Sequence, residues 1–138
     1  PVRPRGAEVV ATDAHGRPAL LRYPTGKGEA VLCTYPIEHF AARTARVNPE
    51  DTHRLYSALA RIAGIDRLVT VDDPRVFADA LVHEDGRTFA WLVSQHDHEV
   101  TVTPTAPGRA VHDLHTGEEL AEVVLPAYGV RVVELRTS

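Results

Sequence analysis

A carboxylate stands beside an imidazole at Glu38-His39, directly after Tyr35-Pro36-Ile37. Such a pair can move a proton or orient a sugar hydroxyl. It falls just past an apolar run that reads as a strand, and ligands gather at strand ends in α/β sheets. Glu38 and His39 are therefore the substrate-binding candidates, although neighbours in sequence need not converge on one ligand.

The remaining reactive residue types give less. His96-Asp97-His98 would place two imidazoles on one side of a strand, two metal ligands with no third fixed by spacing. His112-Asp113-Leu114-His115 reads as a surface hairpin. Gly26-Lys27-Gly28 is too short for a phosphate loop and precedes a strand instead of a helix. Ser57, Ser94 and Ser138 lack the glycines of a nucleophile elbow. Cys33, alone of its kind, sits in Ala30-Val31-Leu32-Cys33 and reads as a buried, inert thiol. Glu84, Asp85, Glu118 and Glu119 lie in turn sequences, where nothing sets the separation of about 5 to 10 Å that glycoside cleavage needs. The sequence thus nominates no catalytic residue, no metal site and no cofactor.

Composition narrows the partners. A formal net charge of -4 with scattered arginines offers no basic stripe for a phosphate backbone, so nucleic acid is not expected. Apolar runs stay far short of the roughly 20 residues that cross a bilayer, so no membrane segment is expected either. The first residues, Pro1-Val2-Arg3-Pro4-Arg5-Gly6, contain no signal-peptide core, and the chain has no methionine. It reads as part of something longer, with the cytoplasm as the expected location and secretion the alternative.

These residues need elements to position them. Residues 8–12, 18–23 and 29–35 read as three strands separated by Asp13-Ala14-His15-Gly16 and Gly26-Lys27-Gly28, and the apolar third strand should be covered on both faces. Asn48-Pro49-Glu50-Asp51 reads as a helix start, with Leu55, Leu59 and Ile62 on one stripe and Gly64 as the stop. It is the one main helix expected. Beyond residue 66 the period becomes that of strands: residues 76–83 and 88–95 joined by a primed turn at Asp85-Gly86, then 99–103, 110–114, 120–125 and 130–135. Phe89, Trp91 and Val93 share a face, and Trp91 reads as core. The fold class is α+β and β-rich, with an α/β portion in residues 1–66 and an antiparallel β-sandwich in residues 67–138.

Two stretches carry a resemblance. Gly16 to Tyr23, Gly26 to Leu32 and Tyr35 to Glu38 resemble the closing strands of the glutamine-amidotransferase-like, flavodoxin-like domain behind the catalytic barrel of some bacterial glycoside hydrolases. Family 42 β-galactosidases and family 5 mannosidase- or mannanase-like enzymes are examples. Val111 to Glu118 and Leu125 to Leu135 look like the final β-sandwich of such enzymes, with its Asp-Leu-x-Thr-Gly hairpin and closing strand. The resemblance implies a non-catalytic C-terminal accessory region whose partner is an upstream catalytic barrel of the same polypeptide, and which can also join a homo-oligomer. The catalytic acids would lie on that barrel, which needs about 250 residues. Two other readings stay open: a stand-alone carbohydrate-binding β-sandwich, which needs an exposed aromatic row, and a small metal-dependent enzyme built on the histidines.

Overall fold

A computed structural model describes residues 2–43 and 52–137 of the chain. It forms two compact units, Pro1–Ala63 and Gly64–Ser138, and is β-rich with two helices.

In the first unit, β1 (Glu8–Thr12), β2 (Pro18–Thr25) and β3 (Gly28–Cys33) make a three-stranded antiparallel meander in the order β1-β2-β3. The β1–β2 turn is held by Asp13, whose Oδ1 accepts the amides of His15 and Arg17, each at 2.8 Å. Arg22 and Glu29 pair across β2 and β3. The expected double cover of β3 is not found. Leu32 is 54% exposed, and Leu21 is the one buried apolar side chain of this unit among the described residues. Burying both faces of a sheet needs a covering layer on each, and among the described residues of this unit only two short helices accompany the sheet.

Two helices follow, one more than the periodicity predicts. α1 (Ile37–Arg43) holds seven residues, two turns, too short to show an apolar repeat. α2 (Thr52–Ile62) carries the expected stripe, with Leu55 and Leu59 half-buried and Ile62 exposed. Gly64 takes the left-handed conformation past its end, φ 66°. The proposed cap at Asn48-Pro49-Glu50-Asp51 lies outside the described residues.

The second unit is built on β5 (Val76–Val82), β6 (Thr88–Ser94), β9 (Arg109–Asp113) and β11 (Val130–Thr137), ordered β5-β6-β11-β9 and antiparallel throughout. Two short ladders accompany it: β7 (Val100–Val102) with β10 (Val123–Leu125), and β4 (Thr70–Val71) with β8 (Pro104–Thr105). Ala90 and Leu92 of β6, Val133 and Leu135 of β11, Val102, Val123 and Leu125 of the small ladder, and Val69, Val76 and Val111 form one core.

Two sequence expectations change here. Along β6 burial alternates, with Thr88, Ala90, Leu92 and Ser94 inward, while Phe89, Trp91 and Val93 are only half-buried on the outer face. Trp91 is therefore not core. Both alternating sets are largely apolar, so the side chosen depends on where β7 and β10 lie, which the strand itself does not record. The β5–β6 connection also differs from the type I′ primed turn that Asp-Gly favours, which requires positive φ at both central residues. Gly86 alone is left-handed, φ 87°. The amide of His83 donates to the Arg87 carbonyl at 2.7 Å, closing a three-residue loop.

Candidate functional site

Glu38 lies in the first turn of α1, and the hydroxyl of Tyr56 on α2 donates to its Oε1 at 2.6 Å. That bond stabilises the ionised carboxylate and holds Glu38 below its ordinary pKa, while the same bond pushes Tyr56 up. His39 is exposed on the next position of α1, about 100° around the helix from Glu38. The helix therefore turns the two candidates to different sides. Glu38 gains Tyr56 as its partner, a residue the sequence shows only as part of the apolar stripe of α2. Cys33 is half-buried and its thiol donates to the Tyr35 carbonyl at 3.4 Å, so it is less enclosed than its apolar run suggests.

The histidine pair also separates. His96 is 7% exposed and its Nε2 lies 2.8 Å from Asp73 Oδ2, tying the β6–β7 loop to the β4–β5 turn. Burial works to raise the Asp73 carboxyl, but the Arg75 amide and the His96 ring outweigh it and hold it below its usual value. His98 meets His96 edge-on at 5.0 Å between centroids and pairs with Asp97. His96-Asp97-His98 is thus a bend and not a strand, with each imidazole engaged by its own carboxylate. Among the described residues, no group of three or more His, Cys, Asp or Glu side chains is arranged to hold a metal.

Asp113 ties β9 to β11 in the second unit. Its Oδ1 accepts the amides of His115 and Thr116 at 2.8 and 2.9 Å, and its Oδ2 accepts from Arg131 on β11. The Thr116 amide first, then Arg131 and the His115 amide, keep it far below the ordinary carboxylate range. His112 Nδ1 lies 3.1 Å from the Gly117 carbonyl, and Gly117 is left-handed, φ 73°. The Asp113-Leu114-His115-Thr116-Gly117 sequence is a turn in which the Asp113 and Thr116 side chains accept backbone amides.

A concave site also lies on the second unit. A cleft of about 340 Å³ is lined by residues 65–69 and 77–80 of the second unit, including Asp66, Arg67, Phe77 and Asp79. None of its residues stands out in the sequence as chemistry. The one signal is Asp79 in the otherwise apolar strand Val76-Phe77-Ala78-Asp79-Ala80-Leu81-Val82.

Fold and sites together define a β-rich α+β chain with an antiparallel second unit and no assembled catalytic group among its described residues. Solved structures with this fold include Gan42B, a GH42 β-galactosidase from G. stearothermophilus, and a cold-adapted β-galactosidase from Rahnella sp. R3. Gan42B is 23% identical with a TM-score of 0.64 over 95% of this chain, and the Rahnella enzyme is 22% identical with a TM-score of 0.66 over 99%. The chain spans 18% of the length of either structure. No protein-family model matches the sequence, and no curated protein does.

Proposed function

We propose that this chain is a non-catalytic accessory region of a glycoside hydrolase, with a β-galactosidase as the leading parent activity and a β-mannoside or β-glucan hydrolase as the alternative. The observation that carries the reading is the shared fold, which runs through both units and is found within two β-galactosidase structures more than five times as long. In this reading residues 1–66 complete an amidotransferase-like α/β domain, residues 67–138 are a terminal sandwich, and the reacting carboxylates stand on an upstream barrel.

The surfaces suit such a supporting role. The first unit exposes Val9, Val10, Tyr23 and Leu32, and the outer face of the four-stranded sheet exposes Phe77, Leu81, Val130 and Val132 around the half-buried Trp91. Contiguous apolar surface of this kind marks contact with other protein. The part of the outer sheet face on β6 and β11, with Trp91, Val130 and Val132, is the side we assign to the barrel, leaving the β5 edge with Phe77 and Asp79 open, and oligomer contacts would use the first unit. Glu38, the substrate-binding candidate, would reach a sugar only through a site completed by that barrel.

The coding sequence upstream of Pro1 tests this. The expected finding is an in-frame (β/α)₈ barrel bearing two acidic residues at the C-terminal ends of its strands. An open reading frame without a barrel would refute it.

A further inference from the structure

The cleft on β5 has the chemistry of a small polar site. β5 is an edge strand of its sheet. The His83 amide bonds the Arg87 carbonyl and the Gln95 amide bonds the Arg75 carbonyl. In an antiparallel ladder these odd-numbered positions face β6, so the backbone groups of Ala78 and Ala80 point away from it, along the free edge. The Ala80 amide is taken by the Asp79 carboxylate at 2.8 Å. The Ala78 amide and the carbonyls of Ala78 and Ala80 are left facing the cleft, one donor and two acceptors.

Side chains add to that row. Asp66 and Asp79 bring acceptors, Arg67 brings a fork of donors, and Phe77, 52% exposed, brings an aromatic ring to the same wall. Ala78 and Ala80 turn their methyl groups to the core, so at these positions the strand meets the cleft with its backbone. Alternating donors and acceptors beside one ring suit vicinal hydroxyls with an apolar C–H face. Two carboxylates disfavour an anion, and the single guanidinium disfavours a simple cation. The cleft volume of about 340 Å³ suits a ligand of one or two rings.

We propose that the cleft between residues 65–69 and β5 binds a neutral pyranose, with the sugar face on Phe77 and its hydroxyls on Asp66, Arg67, Asp79 and the free edge of β5. This deepens the glycoside-hydrolase reading by giving the accessory region a sugar contact of its own, apart from any catalytic site.

The test is a ¹H–¹⁵N NMR titration of the 138-residue chain with methyl β-D-galactopyranoside and with lactose. The expected result is saturable shifts confined to amides of residues 65–69 and 77–80, with affinity in the millimolar range ordinary for a small exposed site. Phe77→Ala and Asp79→Asn should each weaken binding about tenfold, while the spectrum of β6, β9 and β11 stays in place and reports an intact sheet. No saturable shift with either sugar, shifts centred elsewhere, or affinity in both variants equal to that of the unsubstituted chain would overturn the proposal. Those failures leave the parent reading untouched, because that stands on the barrel and its activity.

Discussion

Asp113 and Gly129 do most to fix the loops of the second unit, and neither acts through chemistry on a ligand. The folded state holds the Asp113 carboxyl below its unfolded value, so its stabilisation is present above pH about 4 and is lost as pH falls further. Thermal unfolding from pH 6 down to 2.5 should show a steep drop in Tm below pH 4. In Asp113→Asn the Tm should start lower and fall less steeply, and parallel curves would contradict the assignment. Gly129 follows the left-handed Tyr128, φ 52°, and donates to the Pro126 carbonyl at 2.8 Å. A Cβ there would sit 2.5 Å from Pro126 Cδ, so Gly129→Ala should cost about 1–3 kcal/mol in denaturant unfolding. Asp113 was visible in the sequence within a surface hairpin. Its partner Arg131 was not, because a turn signal names a bend and not the side chains that close on it.

Among elements, the strands from residue 76 onward were the most legible, since most are apolar runs set off by turn-forming Gly, Pro or Asp. The predicted ranges 76–83 and 88–95 differ from the observed ones by a residue at one end. Face assignment was less legible, because β6 is apolar on both sides. The observed choice has a direct consequence. Leu92 is fully enclosed, so Leu92→Ala should destabilise the chain by about 2–5 kcal/mol. Trp91→Ala, on the half-buried face, should cost less, despite removing the larger side chain. Urea midpoints of the two variants decide it, and a larger loss for Trp91 would return that residue to the core. α1 escaped the sequence reading because it is short, and β4 and β8 because two residues carry no period. The candidate at Glu38 was legible as a residue type, yet its link to Tyr56 depends on how two helices meet.

At the scale of the molecule, among the described residues the first unit buries little of its apolar surface while the second encloses a contiguous core. That difference fits a chain whose first unit is completed by other protein. It also accounts for what sequence could and could not convey: the order of strands and turns matches the resemblance to glycoside hydrolases, whereas the partner surfaces are ordinary apolar residues until the sheet shows which of them stay uncovered. If the outer face of the four-stranded sheet meets the barrel, Val132→Asp should lower the Tm of the full-length polypeptide while leaving that of the isolated 138-residue chain nearly unchanged, since Val132 is already 41% exposed. The most direct test of the central claim is hydrolysis of an aryl β-D-galactopyranoside by the full-length gene product and by the isolated chain, each purified. The expected result is turnover by the full-length protein and none by the isolated chain, whereas turnover by the isolated chain, or a full-length protein inactive on β-galactosides, β-mannosides and β-glucans alike, would contradict it.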